Sequence, residues 1–164
     1  MTTICHRRPG ADSARQVQDL IHDQGWVVEH LDRRTPVTST LGLCRRGHPE
    51  FVVLGCDALE GFRLLEPLAL AVEDGLQFHG STDLTRFYPG PEQIILVHLL
   101  TTAPYLPTAN KLFRREGTAP IPAFVLLRTD PLWEPSNVNS PPRVEATFDF
   151  RTPLPQPVLP TGDA

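Results

Sequence analysis

The sequence predicts an α+β domain: a mainly antiparallel sheet of about five to six strands packed against two or three helices, with a proline-rich C-terminal tail. Three observations predict it. Apolar residues recur at helical spacing in two long segments. Short β-branched runs fall between glycine and proline punctuation. Eight of the 18 prolines lie at or after Pro131, a density that works against both helix and central strand.

Along the chain, Ser13 can cap a helix over Ala14 to Gln24, with Val17, Leu20 and Ile21 on one face and Gly25 placed to end it. Trp26 to Leu31 and Val37 to Leu43 then read as adjacent strands, separated by the polar turn from Asp32 to Pro36. Gly47 and Pro49 interrupt the run before Glu50 to Gly55, whose FVVL core has the composition of a buried strand. Three early strands therefore form a meander. Asp57, with Glu60 three positions on, predicts a capped helix to Asp74, and Pro67 inside it predicts a kink or break near Arg63 to Pro67. Leu76 to His79 is expected as a short strand and Gln93 to Leu100 as a strong one. A helix over Thr108 to Glu116 is expected to end at Gly117, and Pro122 to Arg128 is the last core strand.

These elements divide the chain into an N-terminal arm (1–12), one domain (13–135) and a tail (136–164). Within the tail, Val144, Ala146, Phe148 and Phe150 alternate with polar residues, the period of a half-buried strand. It is expected to dock on an edge of its own sheet or of a second copy. Arg151 to Pro160 favours polyproline II.

Composition narrows the function classes. With 164 residues, 40% hydrophobic and 21% charged, the chain is globular and long enough to bury a core. A formal charge of −4 argues against a nucleic-acid footprint. No apolar run reaches the roughly 18 residues needed to span a bilayer, and no apolar stretch follows Arg7 and Arg8, so a cytoplasmic protein is expected. Cys5, Cys44 and Cys56 lack paired zinc spacing and read as reduced thiols, so no metal site is expected. Neither a phosphate-cradling glycine loop nor a nucleophile elbow is present, which argues against nucleotide hydrolysis and α/β-hydrolase chemistry and leaves the cofactor open.

The segments QGWVVEHL, STLGLCRRGHPEFVVLG, LLEPLALAVEDG and PAFVLLRTDPLWEP, in that order, resemble the bacterial domain of unknown function 4262 family over roughly Asp19 to Pro135. Gly25 with Trp26, Thr40 with Gly42 and Leu43, Gly47 to Glu50, Asp130 and Trp133 fill the positions that carry the resemblance. Gln24, Thr38, Ser39 and Arg128 with Thr129 depart from the family pattern. The resemblance implies the fold and its boundaries and brings no agreed activity.

His48 and Glu50 are the most suggestive polar residues, because Pro49 restricts the backbone between them and both precede a buried strand. They could supply an acid, a base or a ligand. Alternatively, His48 hydrogen-bonds a carbonyl in a turn and Glu50 faces water. Cys44, beside Arg45 and Arg46, could carry a lowered pKa with His48 as its base, or be a small buried thiol. Thr40, His48, Asp130 and Trp133 are the candidate ligand-binding residues. The expected function is a binding or regulatory module, with a protein partner or homodimer formed through an edge strand. The alternative is a small enzyme or cofactor-binding domain sited at the His48–Glu50 turn.

Overall fold

The structure, a computed structural model, describes residues 4–6, 12–80, 82–89 and 93–129. The elements are β1 (Ile4–His6), α1 (Asp12–Gln24), β2 (Val27–Leu31), β3 (Val37–Leu41), a 3₁₀ turn (Leu43–Arg46), β4 (Glu50–Leu54), α2 (Ala58–Glu73), β5 (Gln93–Leu99), α3 (Pro107–Phe113) and β6 (Ala123–Thr129). Asp130, Trp133 and the segment Val144 to Phe150 lie outside the described residues.

The strands form one sheet in the order β1-β2-β3-β4-β6-β5. The expected α+β fold is present, but the sheet is mixed rather than mainly antiparallel. β2, β3 and β4 make the expected antiparallel meander, and β5 pairs antiparallel with β6. β1 runs parallel to β2, and β4 parallel to β6. Parallel neighbours need a crossover connection, and the chain between β4 and β6 includes both α2 and α3.

Both faces of the sheet are covered. α2 packs over Val28, Phe51, Val53 and Phe124 on one face, while α1 and α3 pack over Val27, Val37, Leu41, Val52 and Ala123 on the other. Burial on both sides explains why the central strands read as continuous apolar runs without alternation. Val17 and Ile21 are the buried stripe of α1, and Leu20 packs at its margin.

Four expected boundaries are corrected. Leu76 to His79 is loop, although its Phe78 is buried among the aromatic residues of the α2-side core. β3 stops at Leu41 because Gly42 turns at φ 116°, where an added Cβ would meet the Gly25 carbonyl at 2.7 Å. α3 ends at Phe113 rather than Glu116, with Arg114 already extended at ψ 128°. α2 is one helix from Ala58 to Glu73 with Pro67 inside it, so the expected break is absent. Proline removes the bond to Arg63, an exposed position, and the Tyr88 hydroxyl donates to the Leu64 carbonyl in the same turn. β1, in the segment read as an arm, carries no pattern long enough to be legible.

Candidate functional site

The turn that links β3 to β4 holds Cys44 and His48 between Thr40 and Glu50, so their partners decide what they can do. The β3–β4 ladder is registered as far as Ser39 opposite Val52. Beyond it, the Thr40 hydroxyl substitutes for a main-chain acceptor and takes the Phe51 N–H at 2.8 Å. The same hydroxyl donates to Glu50 Oε2 at 2.7 Å. Glu50 Oε1 accepts the N–H groups of Gly42 at 2.9 Å and Cys44 at 3.0 Å, which open the 3₁₀ turn and would otherwise lack acceptors.

Glu50 is therefore fully buried rather than facing water. Burial raises its pKa, against the opposing pull of bonds from Cys44, Thr40 and Gly42. Its proximity also acts on Cys44, whose thiol is pushed well above the ordinary cysteine range by burial, then by the Glu50 charge and hydrogen bond. A thiol held this way is a hydrogen-bond donor, which fits the reading of Cys44 as a small buried thiol rather than an activated one. Arg45 and Arg46 are exposed.

His48 sits on the other side of this turn, in the α2-side core. Its ring is 1% exposed and lies 5.1 Å from Phe51, 5.8 Å from Phe78 and 6.0 Å from Phe124, centroid to centroid. Nδ1–H donates to the Pro49 carbonyl at 2.6 Å, and Nε2 accepts the Phe78 N–H at 3.3 Å. These roles fix a neutral tautomer. Burial lowers its pKa, and the neighbouring His79 adds to that. The structure thus brings Thr40, Cys44 and Glu50 together and turns His48 away into the aromatic core.

Two polar groupings escaped sequence reasoning. Glu29, at the centre of β2, is fully buried and accepts the Thr108 hydroxyl of α3 at 2.7 Å. Its signal is an acidic residue inside the apolar run VVEHL. On the opposite face, His30 Nδ1 and Thr38 Oγ1 are 2.9 Å apart, and Thr38 in turn hydrogen-bonds the Cys56 thiol. Nothing in the local sequence joins these three.

Cys56 leads to a cleft at the end of β4. The cleft, of about 250 Å³, opens where β4 and β6 end side by side, with the first turns of α2 as its third wall. Val53, Leu54, Leu64, Ile94, Val125, Leu126 and Leu127 line it, and Cys56, Glu60 and Arg128 are its polar members. Glu60 and Arg128 pair at half-exposed positions. Asp57 fixes this end of α2 by accepting the Glu60 N–H at 2.8 Å. Ligand sites of α/β sheets lie outside the carboxyl ends of parallel strands, and this cleft has that position.

No family model matches this chain, and no curated protein or solved structure matches it significantly. Function must therefore be read from the geometry.

No group of three or more His, Cys, Asp or Glu side chains among the described residues is arranged to hold a metal ion. No helix among them is long and apolar enough to cross a membrane.

Proposed function

We propose that the chain is a binding module that takes a small, largely apolar ligand in the cleft between α2 and the ends of β4 and β6. The observation that carries this reading is a contrast between the two sites. Glu50, Thr40 and Cys44 are engaged in closing a turn, and both nitrogens of His48 are bonded to main-chain groups. The cleft instead combines an aliphatic lining with three polar groups at its margin, the usual composition of a ligand site. The alternative, an enzyme centred on the His48–Glu50 turn, has less support because the Glu50 carboxylate and both His48 nitrogens are already engaged by groups of the fold. The acidic composition suits a cytoplasmic module, and the segment order is consistent with membership of the domain of unknown function 4262 family.

The test is ligand-observed NMR with short aliphatic and aromatic probes, on the full chain and on Leu64→Trp, which fills the cleft. Probes should bind the native chain and lose contact in the variant, with its melting curve showing that it folds. Equal binding by both proteins, or none by either, would refute the proposal.

The sheet edges favour a second, compatible reading. Among the described residues β1 and β5 are the outermost strands, and β5 already carries a bridge from Asp83 to Ile95 on its outer side. We propose that an edge accepts an extended segment, either Val144 to Phe150 or a second copy. Light scattering on the chain with and without residues after Asn139 distinguishes these; an unchanged monomer of unchanged melting temperature argues against both.

A further inference from the structure

The cleft has two chemical ends, and together they select a class of ligand. Its interior is made by branched aliphatic side chains of β4, β5, β6 and α2, so it favours a branched hydrocarbon tail of similar shape. Its volume, about 250 Å³, lies below the roughly 300 to 1,000 Å³ typical of drug-sized ligands. That space suits a small ligand of about eight non-hydrogen atoms, by the roughly 30 Å³ each water occupies in the liquid.

At the margin, Glu60 and Arg128 present one negative and one positive group side by side, both also lining the cleft. Their side chains are 41% and 49% exposed, so the pair meets solvent and can exchange partners with little desolvation. A carboxylic acid alone would set its charge against Glu60 and the nearby Asp57, and an amine alone would face Arg128. A zwitterion satisfies both. Its carboxylate would accept from the planar guanidinium and its ammonium would donate to Glu60.

We infer that the cleft binds a free aliphatic α-amino acid, with Arg128 holding the carboxylate, Glu60 the ammonium, and Val53, Leu64, Ile94 and Leu126 the side chain. This rests on the proposed function above and names its ligand. Such a ligand suits a sensing or regulatory domain.

Calorimetric titration with L-leucine, 4-methylpentanoate and 3-methylbutylamine tests it, with each ligand also followed by NMR. L-Leucine should bind at least tenfold more tightly than either single-charge analogue. Arg128→Gln and Glu60→Gln should each weaken leucine at least tenfold while leaving the melting temperature within a few degrees, as expected for an exposed pair. If all three ligands bind equally, or if both variants bind leucine normally, the head-group assignment is wrong while the cleft reading stands. If none binds and the apolar probes above also fail, the cleft reading falls with it.

Discussion

Replacing His48 tests how the described core is joined to the loop after α2. The ring is buried against three phenylalanines and links the Pro49 carbonyl to the Phe78 N–H. His48→Phe retains an aromatic ring but leaves one donor and one acceptor without partners, each worth about 1 to 2 kcal/mol here. The expected loss is about 2 to 4 kcal/mol at pH 7.5, or a fall of roughly 8 to 16 °C in melting temperature. His48→Ala adds a cavity and should cost about 5 kcal/mol, close to the whole stability of a marginal domain.

The pH profile separates this from simple repacking. Burial holds the folded-state pKa of His48 below its unfolded value near 6.5. The unfolded chain therefore binds the proton first, so the contribution of neutral His48 is complete above about pH 6.5 and is lost as pH falls toward the folded pKa. Within that window the slope approaches about 1.4 kcal/mol per pH unit. His48→Phe should flatten the profile, apart from a remainder due to His98, whose pKa burial and His79 also lower. Chemical denaturation at pH 7.5, 6.5 and 5.5 reads both effects. A variant as stable as the native chain, or one with an unchanged acid slope, would refute the assignment.

Other perturbations have defined outcomes. Glu50→Gln exchanges one acceptor for a donor facing the Thr40 hydroxyl and should cost about 1 to 3 kcal/mol in denaturation. Because burial raises the Glu50 pKa, its contribution is complete below about pH 4.5 and declines as pH rises through the folded value. The stability gap between the native chain and the Glu50→Gln variant should therefore narrow with rising pH, and a widening gap would contradict the buried-carboxylate account. Gly61→Ala should destabilise by about 1 to 3 kcal/mol despite alanine's higher helix propensity, since its Cβ would overlap the Thr38 side chain. A stabilised variant would show that α2 does not press on β3 there. Cys44 and Cys56 both have raised pKa values from burial, so iodoacetamide at pH 8 should modify each at least tenfold more slowly than free cysteine. Peptide mass spectrometry over time reads this, and fast modification of either would overturn its assigned environment.

Read from the residues alone, the chain disclosed most of its elements. The capped helix from Asp57, the stripe of α1, the early meander and the strands FVVL, IILVHL and AFVLL are local patterns, set by periodicity, capping and turn chemistry that act within about a dozen residues. The sequence also singled out Thr40, Cys44, His48 and Glu50 as unusual. It did not determine their roles, because role depends on which distant groups become partners. His48 is defined by Phe78, Glu29 by Thr108 and Thr38 by Gly61 and Cys56, at sequence separations no local pattern spans.

Tertiary structure alone decided the parallel pairing of β4 with β6. Among the described strands β5 is outermost, paired antiparallel with β6, while β6 lies beside β4. Parallel or antiparallel pairing cannot be read from strands buried on both faces, since their apolar runs look alike in either arrangement. That pairing sets the two strand ends side by side beside the start of α2. The cleft, and the meeting of Glu60 with Arg128 at its margin, follow from it.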